Sequence, residues 1–112
     1  MAKDRFPGFG ACLRMMRKRV PVTQEVGFHW LRPRAAEFVE RLVDEFRRES
    51  DHGLRCWLLE LIGEARDPRA LPVLLEQLRS PDESLRWWAV HGLRVLNTPE
   101  ARKALFEAGE RS

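Results

Sequence analysis

Apolar residues return along this chain every three or four positions. Phe9, Cys12, Leu13 and Met16 fall at i, i+3, i+4 and i+7, so a helix over about residues 9–19 has one apolar face, while Arg14, Arg17 and Lys18 point elsewhere. Ahead of it Pro7-Gly8 marks a turn, and residues 1–8 read as loosely held. Val20-Pro21-Val22 breaks the pattern. Thr23 can then cap a second short helix reaching Trp30 or Leu31, weakened by Gly27 and ended by Arg32-Pro33.

From Pro33 the pattern is denser. Ala35, Phe38, Val39, Leu42 and Phe46 share a face, which predicts a helix over about residues 34–48; the turn after it offers Ser50 or Asp51 as the next cap. Leu54, Trp57, Leu58, Leu61 and Ala65 form the following stripe. Asp67-Pro68 starts another helix, with a carboxylate at the N-cap and a proline at N1, where no amide hydrogen is needed. Its expected core residues are Leu71, Leu74, Leu75 and Leu78, and Pro72 should kink its first turn. After a turn over Ser80–Ser84 the stripe is Leu85, Trp88, Ala89, Gly92 and Leu96, whose small residues at 89 and 92 let a neighbouring helix come close. Thr98-Pro99 opens a last helix, about residues 99–109, with Ala101, Ala104, Leu105 and Ala108 inward.

Two of these segments are one unit written twice. A shift of 31 residues carries Leu54, Arg55, Trp57, Pro68, Ala70, Leu74 and Glu76 onto Leu85, Arg86, Trp88, Pro99, Ala101, Leu105 and Glu107, seven identities in 23 aligned positions without a gap. A period in the thirties with two helical patterns per unit marks a repeat that buries its apolar face only by stacking. The expected fold is all-α, a short α-solenoid of helix pairs. Residues 1–32 are its basic N-terminal helical cap or arm, and the units are 33–67, 68–98 and a terminal half-unit, 99–112.

The run Asp67-Pro-Arg-Ala-Leu-Pro-Val-Leu-Leu-Glu-Gln-Leu78, a short turn, and then Leu85-Arg86 leading an alanine-bearing helix resembles a HEAT repeat, in particular the short bacterial type of phycobilin lyases. The resemblance is good over 68–107 and fair over 33–67, where the turn is about four residues longer; it is absent over 1–32. It implies an armadillo-like stack with a proline where Pro72 stands, an arginine where Arg55 and Arg86 stand, and the second helix of each unit lining a concave side. Such a motif specifies a fold rather than a chemistry, so lyase activity is not carried over.

Composition narrows what the solenoid can do. With 112 residues, 44% hydrophobic and 33% charged, the chain suits one globular domain. No apolar run reaches the length of a signal peptide or membrane span, so the expected location is the cytoplasm and no membrane partner is expected. Cys12 and Cys56 lack Cys-x-x-Cys spacing and are expected as reduced thiols. His29, His52 and His91 lie on separate elements, and no phosphate-binding loop or nucleophile motif occurs. No metal, cofactor or catalytic residue is expected, and hence no enzyme.

Two binding surfaces stand out. Trp57 and Trp88 sit at the core boundary, whereas Trp87 lies opposite the buried stripe, beside Val90, His91 and Arg94. The preceding unit has Cys56, Leu59, Glu60 and Gly63 at these places. Stacked as HEAT-like repeats, the two stripes would adjoin on the concave side as an apolar surface with polar edges. A protein partner, the 1–32 segment or a second copy of the chain could cover it. The other surface is electrostatic. Residues 1–34 carry a net +6 against −3 for the rest, and Arg14, Arg17, Lys18 and Arg19 could contact nucleic-acid phosphates. The first reading is a protein-binding adaptor or scaffold, the second a nucleic-acid-binding repeat protein.

Overall fold

Side-chain oxygens open the helices where the sequence offers them. The computed structural model describes residues 5–110; the first four and last two residues, including the start of the segment expected to be loosely held, lie outside. The described residues form α1 (Phe9–Arg17), α2 (Pro21–Leu31), a 3-10 segment (Arg32–Phe38), α3 (Val39–Arg48) and α4 (His52–Glu64), then a 3-10 turn (Pro68–Ala70), α5 (Leu71–Leu78), α6 (Glu83–Leu96) and α7 (Pro99–Glu107), with no strand among them. Asp51 accepts from the Leu54 amide at 2.9 Å, and Asp82, its equivalent 31 residues on, from Leu85 at 3.1 Å. Asp67 accepts from Arg69 at 2.8 Å and its equivalent Thr98 from Ala101 at 3.1 Å. The residues before these last two caps, Arg66 and Asn97, are both left-handed, with φ of 52° and 54°. The corner therefore repeats along with the core. Thr23 is no cap: α2 starts two residues earlier because Pro21, with its φ preset, takes the first turn.

The outer layer is interrupted. The first two units begin in 3-10 geometry, and Pro72, which has no amide to donate, sits in the first turn of α5. A 3-10 turn advances about 120° per residue instead of about 100°, which rephases the apolar stripe. Ala70, Val73 and Leu74 are buried, while Leu71, Leu75 and Leu78 are half-buried, and Phe38 likewise gives way to Val39. Ala104 is half-buried and Ala108 exposed. The extra length of the first unit lies in its 3-10 segment and not in its turn, since α3 and α4 are separated by residues 49–51 alone.

The inner helices α4 and α6 form the central seam. A Cβ placed on Gly63 would lie 3.0 Å from Gly92 Cα, and one on Gly92 would lie 2.8 Å from Leu74 Cδ2, so the two backbones touch. α3 backs α4, α5 backs α6, and α7 lies on α6 and reaches α5. Ahead of them, α1 and α2 pack together through Gly27, where a Cβ would come within 2.5 Å of the Cys12 carbonyl. The residue expected to weaken α2 is thus what seats it. The pair rests on the first unit through Phe9 on Phe38 and Phe28 on Trp57, at ring separations of 5.0 and 5.1 Å. The stack measures 47 × 26 × 21 Å.

Candidate functional site

Cys56, Leu59, Glu60 and Gly63 of α4 correspond to Trp87, Val90, His91 and Arg94 of α6, but the two stripes do not adjoin on an open surface. On α4 this side faces forward, into the next unit: Gly63 meets Gly92, Leu59 is 0% exposed, and Cys56 lies beside the Asp82 cap of α6. Leu59 belongs to the core and not to a binding surface, because the stacking of α6 covers the forward face of α4. The same side of α6 has no following inner helix among the described residues. There Trp87 is 59% exposed, and Val90, at 9%, is the floor and not part of the rim.

Trp87, Val90 and Arg94, together with Leu78, Ala108 and Glu110 from the ends of the outer layer, bound an open groove of about 470 Å³. The Trp87 ring is parallel to His91, 5.7 Å away at 8°, and edge-on to Trp88, 4.7 Å away at 85°. The indole thus stacks on His91 while the residue stays more than half exposed. Arg94 lies 3.7 Å from Glu110. At the groove's other end are Glu83 and Arg86, whose guanidinium donates to the Ser80 carbonyl at 2.7 Å.

Glu60 stays apart from this groove. His91 Nε2 is 3.9 Å from Glu64, which Arg32 also reaches, at 3.6 Å. Burial pushes the Glu60 carboxyl above its ordinary range, and Glu64 adds to the effect against the opposing pull of Arg32, His91 and His29. Cys56 and Glu60 are therefore half-buried on the α4 side, while Trp87, Val90, His91 and Arg94 gather on the other.

The basic head is partly committed to its own body. Arg17 pairs with Glu45 at 2.9 Å and Glu49 at 3.1 Å, Arg34 lies 4.4 Å over the Phe6 ring, and Arg41 lies 4.2 Å over Phe9. Arg14, Lys18 and Arg19 remain exposed. Of the four residues expected to meet phosphates, Arg17 is thus already neutralised.

One cluster looks chemical at first sight. His52 Nε2 is 2.8 Å from Asp82 Oδ2 and 3.8 Å from Cys56 Sγ. A histidine that activates a thiol uses its two ring nitrogens separately, one for the thiol and one for the carboxylate, whereas here a single nitrogen faces both. Burial and the Asp82 charge also push the Cys56 thiol upward, against thiolate formation. Among the described residues no group of three or more His, Cys, Asp or Glu is placed to hold a metal ion, and no helix is long and apolar enough to cross a membrane.

Stacked helix pairs with a corner and a core that both recur at 31 residues define a helical repeat protein in which, among the described residues, the forward side of α6 is open. The sequence profile of HEAT repeats matches residues 39–112, and the chain belongs to that family. No curated protein and no solved structure matches it.

Proposed function

We propose that this chain is a non-catalytic protein-binding module, an adaptor or regulator of the cytoplasm, and that it binds through the forward face of α6. HEAT repeats commonly serve protein interaction, because stacked units present long, shaped surfaces. The observation that carries the reading is Trp87, a large apolar side chain 59% exposed above Val90 and held in one orientation by His91. Exposed indole area is unfavourable in water by about 25 cal/mol per Å², and tryptophan is among the residues that most often dominate binding energy. The test is affinity capture from the native host with wild type and a Trp87→Ala variant of equal circular dichroism. A specific protein held by wild type and bound about 30-fold more weakly by Trp87→Ala, equivalent to about 2 kcal/mol, is the expected result. Equal capture by both refutes the reading.

Nucleic-acid binding is the second reading, supported by the exposed Arg14, Lys18 and Arg19. It requires binding that falls steeply with added salt and that weakens when these three residues are replaced.

A further inference from the structure

The internal seam shows what kind of object covers a forward face. α6 covers Leu59 and Gly63 of α4, and it fixes its own start against that helix by one side-chain contact, His52 Nε2 to Asp82 at its N-cap, 2.8 Å apart. Thirty-one residues on, the open face keeps the layout, and two of its changes in chemistry bear on what would sit there. His52 is replaced by Glu83, which has no ion-pair partner among the described residues, and Gly63 is replaced by Arg94. The first change puts a carboxylate where the start of an incoming helix would otherwise meet an imidazole. The second removes the glycine that let two backbones touch, so an incoming helix must stand farther off and fill the space with larger side chains.

The geometry points to an amphipathic helix of a partner protein, seated on α6 and α7 where a next inner helix would stack, with large aliphatic residues over Trp87 and Val90 and a lysine or arginine in its first turn against Glu83. Continuity with the α4–α6 seam supplies the helix, and charge complementarity supplies the base. A cation in a first helical turn runs against the helix dipole, so it is a selective mark and not a default feature of helices. This occupant presupposes the binding role proposed above.

The test uses the full chain and synthetic helices of about 18 residues, long enough to hold helical structure. One peptide carries a leucine stripe and a first-turn lysine, a second has aspartate in place of the lysine, and a third has the stripe scrambled. Binding is read from the Trp87 indole N–H signal in nuclear magnetic resonance titrations, with sedimentation to establish that the free chain is monomeric. The lysine helix should shift that signal and bind about tenfold more tightly than the aspartate helix, with the order reversed on Glu83→Lys. The scrambled peptide should not bind, and Trp87→Ala should abolish the difference. Silence of the Trp87 signal, a charge preference unmoved by Glu83→Lys, or self-association of the chain through this face overturns the proposal. A native partner lost on Trp87→Ala while no helical peptide registers leaves the binding role standing and removes the helix alone.

Discussion

Leu59 on α4 and Val90 on α6 hold equivalent places in their units, yet one is sealed by a following helix and the other floors an open groove. The tryptophans on another side of the same helices differ in neighbours and not in burial: both are half-buried, but Trp57 packs on Phe28 of α2, whereas among the described residues the aromatic rings beside its equivalent Trp88 are Trp87 and His91 of its own helix. The cover over a residue in a stacked repeat is therefore set by what stands next to the unit as much as by position within its helix.

The contrast can be broken most sharply at its two central residues. Leu59→Ala should cost about 2–5 kcal/mol, because a sealed aliphatic side chain leaves a cavity. Val90→Ala should cost about 1 kcal/mol, because the groove already admits water. Urea midpoints for the two variants measure this, and equal losses would mean that the two faces are equally buried. Next in size is the crossing point. Gly63→Val forces a side chain into the Gly92 backbone, for a loss of about 1–3 kcal/mol, while Arg94→Ala at the equivalent open position should stay within about 0.5 kcal/mol.

The smallest effect separates the two corners by pH. Asp67 is held at about 2 by the side chain and backbone amide of Arg69, below its ordinary 3.8. A depressed carboxyl stabilises the fold above its ordinary value, and that stability is lost as pH falls from about 4 through about 2. Thr98, which caps the equivalent corner, does not titrate. Asp67→Ala should cost about 1 kcal/mol at neutral pH and show a smaller acid loss, whereas Thr98→Ala should cost a similar amount and leave the acid loss of wild type unchanged. Thermal unfolding at pH 7 and pH 2.5 distinguishes them.

Much of this organisation is legible in the residues themselves. Asp51, Asp67 and Thr98 announce helix starts by their chemistry, and the 31-residue shift reveals the repeat because units that stack on one another share one core pattern. The phase of the outer helices is not legible: a short 3-10 stretch leaves no compositional mark, yet it turns Val73 inward in place of Leu71 and Leu75. The site is legible in half. Trp87, Val90, His91 and Arg94 do share one groove, and an apolar residue opposite the buried stripe of its own helix is signal enough to find Trp87. Leu59 carries the same signal and is sealed, because periodicity reports a helix's faces without saying which of them the next unit will occupy.

The matched corners at Arg66 and Asn97 make the unit between them interchangeable. A segment cut after each left-handed residue, 67–97, follows one such residue and ends on the other, so a tandem copy inserted after Asn97 should lengthen the rod by one helix pair without a new linker. Its arrival would turn the present terminal surface into an internal joint, and Arg94 would then stand where Gly63 now lets backbones meet. Elongation therefore calls for Arg94→Gly in the first copy, so that the two backbones can meet at the new joint as they do at Gly63 and Gly92.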